Sequence, residues 1–109
     1  MTTYSFGDIL LLSAFPYSDS VGVKKRPGLV VADIGDDDVL VARVTSENPH
    51  NSHDLTLERW KDFGLLLPSC VRLSKIATLS KGLVVKKLGK LGSPERKKSR
   101  NILKKLLES

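Results

Sequence analysis

Cysteine is nearly absent from this chain: Cys70 stands alone among 109 residues, so no internal disulfide framework and no multi-cysteine zinc site can form. A single thiol suits a reducing compartment, and the cytoplasm is the expected location. Long apolar runs are missing as well. None approaches the ~20 residues that cross a bilayer, and Met1, Thr2, Thr3 and Tyr4 lack the basic and apolar stretches of a secretory leader. No membrane association is expected. Prolines number only five, while 40% of the residues are hydrophobic and 28% charged, which excludes a disordered tail and predicts one compact domain over residues 1–109. HExxH, P-loop and GxSxG patterns and a paired His/Cys nucleophile are also missing. Metalloprotease, nucleotide hydrolase and serine hydrolase chemistries therefore have no motif to rest on.

What the chain does have is an uneven charge. Residues 1–80 carry 8 basic and 10 acidic side chains, a net of −2, whereas residues 81–109 carry 10 basic and 2 acidic, a net of +8. The overall +6 thus comes from the last 29 residues. Such asymmetry fits a polyanion or an acidic partner, and it equally fits a solvated helix face.

Most of the chain reads as short strands. Residues 9–15 are continuously apolar, as in a strand buried on both faces, and Pro16 ends them. Residues 17–26 combine turn chemistry with no periodicity and predict an exposed loop. Pro27 opens the next strand, where its missing N–H does little harm. Residues 29–34 and 39–44 flank Gly35, Asp36, Asp37 and Asp38, a connection that predicts a hairpin. Adjacent aspartates in a tight turn point in different directions, so a calcium or magnesium site is not expected there. His50 and His53 lie in a polar loop without a third ligand nearby and read as surface histidines, leaving no metal site.

Residues 55–57 resume a strand, and residues 58–64 form one helical turn closed by Gly64, with Trp60 and Phe63 capping the core. Residues 65–67 and 70–79 alternate imperfectly, which leaves their register open. Cys70 reads as a buried structural thiol. Residues 83–89 make the last strand. Ser93 as N-cap, Pro94 and Glu95 then start a helix running to about residue 107, with Ile102, Leu103, Leu106 and Leu107 on one stripe and Lys97, Arg100 and Lys104 opposite. Six short strands and one terminal amphipathic helix predict a small, strongly curved antiparallel sheet or barrel.

If residues 29–34 and 39–44 pair as a hairpin, Arg26 comes together with Thr45 and Ser46 at one end of the sheet. A guanidinium matches phosphate oxygens bidentately and stays charged at any catalytic pH, so arginine beside hydroxyls is a sensible phosphate site. An arginine before a strand is also often simply solvated.

Five ordered blocks carry a family resemblance: Gly7-Asp8-Ile9-Leu10; Lys25-Arg26-Pro27-Gly28-Leu29-Val30-Val31; Val44-Thr45-Ser46; Gly64-Leu65-Leu66-Leu67-Pro68-Ser69-Cys70-Val71-Arg72-Leu73; and Ile76-Ala77-Thr78-Leu79-Ser80-Lys81. In order and spacing they resemble the PemK/MazF-like toxins of bacterial toxin-antitoxin systems over residues 6–107. The resemblance implies an SH3-like antiparallel β-barrel with a C-terminal amphipathic helix, a homodimer, an antitoxin partner and a sequence-selective endoribonuclease that needs no metal or other cofactor. It implies that Arg26 contacts the scissile phosphate of single-stranded RNA, with Thr45 and Ser46 completing the phosphate site. Attack by the ribose 2′-hydroxyl would leave a 2′,3′-cyclic phosphate and a 5′-hydroxyl, a chemistry closed to DNA. RNA-binding roles are expected for Tyr17, Lys24, Lys25, Arg43 and His50. Ser80 departs from an acid common at its position, Lys25 stands at a position that can be His, and no general base is identified; Asp19 is the nearest carboxylate. Two other readings stay open: a gyrase-poisoning toxin of the same fold, and a non-catalytic RNA-binding module that uses Lys97, Arg100 and Lys104.

Overall fold

The computed structural model describes residues 2–14 and 25–109. Its strands are β1 (Asp8–Leu12), β2 (Arg26–Ala32), β3 (Asp38–Thr45), β4 (Asp54–Leu57), β5 (Ser69–Ser80) and β6 (Val84–Lys90), followed by helix α1 (Ser93–Glu108). They form one sheet in the order β4-β5-β3-β2-β1-β6, and every neighbouring pair is antiparallel.

β1 shows why an unbroken apolar run is a strand here. Ile9 packs into one core with Leu29, Ala42, Val44, Phe63 and Leu73, whereas Leu10 and Leu12 face a second core with Val30, Val39 and Val41. Both faces of the sheet are covered, so both parities of the strand must be apolar. Each fully buried Leu, Ile or Phe contributes about 1.5–3 kcal/mol relative to exposure. The strand stops at Leu12, earlier than the run predicts, because the amide of Ser13 turns to the carbonyl of Leu83 at 2.9 Å. Phe15 and Pro16 lie outside the described residues.

The β2–β3 hairpin forms around Gly35 as expected. On its other side β3 pairs with β5 from Asp38↔Ser80 to Ala42↔Ile76, then jumps to Arg43↔Arg72. Residues 73–75 form a bulge, which bends β5 and lets its first half pair with β4 as well. That slip is the reason the alternation through residues 70–79 was imperfect. Residues 65–67 stay outside the strand.

The hydrogen-bonded ladder does not close: β4 and β6 are its two ends. A 3₁₀ turn, Trp60–Phe63, fills the gap and ends in Gly64 at φ 84°. A side chain on Gly64 would collide with the backbone of Leu88 in β6, and one on Gly89 would collide with the backbone of Phe63. The two glycines allow backbone to meet backbone, and this seam curls the open sheet into a barrel-like shape.

α1 crosses β5 and β4 and packs Ile102, Leu103 and Leu106 on the first core. Two expectations need correction. Gly92, not Ser93, takes the N-cap conformation, and no side chain caps the helix. Leu107 is 87% exposed: the fully buried Ser99 sets the docking stripe at positions 99, 102, 103 and 106, and Leu107 falls off its edge. Two basic residues of α1 belong to the fold. Arg96 donates from Nη1 to the carbonyl of Leu91 at 2.8 Å, and the Arg100 guanidinium lies 4.7 Å from the Phe6 ring centre. No helix among the described residues is long and apolar enough to cross a membrane.

Candidate active site

A cavity of about 450 Å³ opens where β2 begins and β3 ends. Lys25, Arg26 and Pro27 form one wall, with Val44, Thr45 and Ser46 facing them. The loop from Gly64 through Leu67, with Ser69, makes the rim; Leu11 of β1 and Lys86 and Leu88 of β6 complete it.

Strand register builds this arrangement. β2 and β3 pair as Gly28↔Arg43 and Leu29↔Ala42, so continuing two residues sets Arg26 across from Thr45. β1 holds the other side of Arg26 through the pair Leu12↔Arg26, and β5 holds Thr45 through Thr45↔Cys70. Arg26, Thr45 and Ser46, which the hairpin predicts to meet, thus lie at one end of the sheet and line one cavity.

Arg26 is half-buried, and its Nε is shut off from solvent with no hydrogen-bond partner among the described residues. A buried guanidinium N–H without an acceptor is costly, so its environment is ready for an anionic oxygen. Thr45 is buried and its Oγ1 accepts the amide of Glu47 at 3.2 Å. This fixes the oxygen and leaves the hydroxyl proton to be donated elsewhere. Ser46 is exposed at the rim, and Lys25 is exposed beside Arg26.

Two other predicted residues, Arg43 and His50, lie elsewhere. Arg43 is outside the cavity lining, with its Nη2 3.6 Å from Oε1 of Glu47. His50 is exposed, its Nε2 lies 3.6 Å from the other Glu47 oxygen, and its amide donates to Asp54 at 2.7 Å. Tyr17, Lys24 and Asp19 fall outside the described residues. No group of three or more His, Cys, Asp or Glu among the described residues could hold a metal ion. Asp36 accepts the amide of Asp38 at 3.0 Å, a local turn contact. Cys70 is buried, and burial, reinforced by the nearby Asp54 carboxylate, pushes its thiol pKa up, which keeps it protonated and unreactive.

Among the lining residues that the sequence did not single out as site residues are Leu66, Leu67, Ser69 and Lys86. Leu66 and Leu67 are 91% and 59% exposed, an uncovered apolar rim. Their signal was present as a leucine run that stops at Pro68 and fits neither helix nor strand. Lys86 carried no local signal, because the pairing Leu11↔Lys86 that brings it here joins distant parts of the chain.

The fold is shared with solved toxin structures. A MazF toxin of Mycobacterium tuberculosis superposes with a TM-score of 0.76 at 16% identity, covering 93% of this chain and 96% of that one. MazF from Deinococcus radiodurans gives 0.75 at 18% identity over the full length of both chains. An endoribonuclease from a mycobacterial species, solved with its cognate antitoxin, gives 0.70 at 19% identity over 94% of this chain and 93% of that one. No curated protein matches the chain significantly in sequence. The model of the family described as the PemK-like, MazF-like toxin of type II toxin-antitoxin systems matches residues 5–107, nearly the whole chain and all the described cavity residues, so the chain belongs to the PemK/MazF toxin family.

Proposed function

We propose that this protein is a sequence-selective endoribonuclease toxin that cleaves single-stranded RNA in the cavity at Arg26. The supporting observation is the half-buried Arg26 guanidinium, which has an unpartnered Nε and shares its cavity with the fixed Thr45 hydroxyl. The reaction forms a bond from the ribose 2′-oxygen to phosphorus and breaks the bond to the 5′-oxygen, and the proton lost by the 2′-hydroxyl is balanced by the one the departing 5′-oxygen takes up. Negative charge builds on the non-bridging phosphate oxygens between these events. Arg26 meets that charge without waiting for solvent to reorganise, and Thr45 and Ser46 donate to neighbouring oxygens. The products carry a 2′,3′-cyclic phosphate and a 5′-hydroxyl. The guanidinium supplies the positive charge, and no metal is required.

Family membership adds a cytoplasmic setting, a homodimer and an antitoxin that silences the protein until translation and growth are to be arrested. The apolar rim of Leu66 and Leu67 gives an unstacked base a surface to pack on. Incubating purified protein with single-stranded RNA in EDTA tests the reading. Cleavage with 5′-hydroxyl ends, lost in Arg26→Ala while the circular dichroism spectrum is kept, is the expected result. RNA left intact by the wild-type protein under those conditions overturns it.

A further inference from the structure

Lys86 lies in the cavity wall although nothing in the proposed chemistry uses it. It stands on β6, an end strand of the sheet, and pairs with Leu11 of β1, which pairs in turn with Pro27 of β2. Directly opposed residues in antiparallel strands share a face. Lys86, Leu11 and Pro27 thus form one row across three strands, and all three line the cavity. The row lies one residue from the Leu12↔Arg26 pair, so Arg26 starts from the other face of the sheet, and it is the cavity at the start of β2, lined by Arg26 and Lys86, that brings the two cations together. Two interstrand spacings, about 10 Å, separate the backbone of Lys86 from that of β2.

Neighbouring lysines of β6 behave differently. Lys87, the next residue, projects to the opposite face, and its Nζ lies 3.1 Å from Oδ1 of the buried Asp8. Lys81, just before the strand, is 3.0 Å from Oδ2 of Asp33. Lys86 is exposed and forms no ion pair among the described residues. Lysines on an end strand also discourage edge-to-edge pairing, but that purpose does not require one in the cavity wall.

We propose that Lys86 is a substrate-positioning cation: it holds the RNA phosphate next to the one at Arg26, so the strand leaves the cavity across β1 and β6. This rests on the reading of the cavity as an RNA site. A lysine ammonium is a point charge on a flexible stem, tolerant of where an oxygen sits, which suits backbone tracking more than transition-state contact. Arg26, half-buried and with a planar head group that meets phosphate oxygens bidentately, has the converse properties. The two cations divide the work between gripping the reacting phosphate and orienting the chain that carries it.

The test pairs a binding measurement with kinetics. Binding of random single-stranded 12-residue DNA, which has no 2′-hydroxyl and is not cleaved, is titrated against salt for the wild-type protein, Lys86→Gln, Lys86→Arg and Lys104→Gln. One lost phosphate contact lowers the magnitude of the slope of log K against log salt by about 0.7. Lys86→Gln is expected to show that loss and Lys86→Arg to restore it. Lys104→Gln, an equal change in net charge on α1, is expected to move the slope less. On RNA, KM for Lys86→Gln should rise by about threefold to tenfold and by more than kcat falls.

A slope for Lys86→Gln equal to that of wild type, or shifted no more than by Lys104→Gln, overturns the proposal. The two readings fail separately. If wild-type protein leaves RNA intact, the ribonuclease reading falls while the DNA slope still decides whether Lys86 holds a phosphate.

Discussion

The basic C-terminal region and the cavity at the start of β2 make opposite uses of positive charge. Residues 81–109 hold a net charge of +8, yet several of those cations are engaged inside the molecule: Lys81 with Asp33, Lys87 with Asp8, Arg96 with the Leu91 carbonyl and Arg100 over Phe6. The cavity draws Lys25 and Arg26 from a body with a net charge of −2, and neither forms an ion pair among the described residues. Charge density alone therefore does not locate the cavity, to which the basic region contributes Lys86 as its only cation among the described residues. A better pointer than charge density is a half-buried cation without a counter-ion, as Arg26 is among the described residues.

Neutralising each region in turn tests which of the two acts on the reaction. Arg26→Ala should lower the single-turnover cleavage rate by about 10²-fold to 10³-fold, the range for losing a preorganised donor. Lys97, Lys98 and Lys104, all exposed on α1, changed together to Gln, should leave turnover at saturating RNA within about threefold, because screened surface charge acts on encounter more than on chemistry. Loss of turnover in the helix variant with survival in Arg26→Ala would reverse the comparison and place the chemistry at α1.

Thr45→Val sharpens it from the cavity side. The substitution removes the hydroxyl and strands the Glu47 amide, so cleavage should fall by about tenfold or more and thermal unfolding should show a loss of about 1–3 kcal/mol. In the helix, stability should depend on the docked stripe. Leu103→Ala should destabilise by about 2 kcal/mol for a partly buried leucine, whereas Leu107→Ala should change stability by less than about 0.5 kcal/mol. Equal losses in denaturant titrations would refute the assigned face.

The smallest effect concerns acid. Asp33 accepts the amides of Tyr4 at 2.7 Å and Gly35 at 2.8 Å, and these bonds, then Lys81, lower its pKa. A carboxyl with a depressed folded-state pKa stabilises the fold at and above its unfolded value, about 3.9, and loses that contribution as pH falls through the folded value. Asp33→Asn should therefore be less stable than wild type at neutral pH, with the gap narrowing below about pH 4. A gap in melting temperature that stays constant to pH 2 would show the carboxylate charge to be irrelevant.

Local chemistry made much of this molecule legible. The Gly35 turn made the β2–β3 hairpin legible, and that pairing, after a one-residue slip between Val30 and Ala32, gathers Arg26, Thr45 and Ser46. Legibility ended where distant segments decide the outcome. The bulge at residues 73–75 depends on how β5 turns between β3 and β4, and no residue there announces it. Lys86 reaches the cavity by pairing with Leu11, which lies 75 positions earlier in the chain. Leu107 was misplaced for a related reason: the helix offers an apolar stripe wider than the surface that receives it.

The seam between Gly64 and Gly89 bears on how far such a sequence can drift. Because main-chain atoms of the 3₁₀ turn and β6 meet there, shape complementarity at the closure asks nothing of side-chain volume and can survive wholesale exchange of the residues around it. Two small positions then govern the barrel's outline. A chain closed in this manner can share less than a fifth of its residues with the solved structures it superposes on and still keep one architecture, free to rewrite the surface around its cavity.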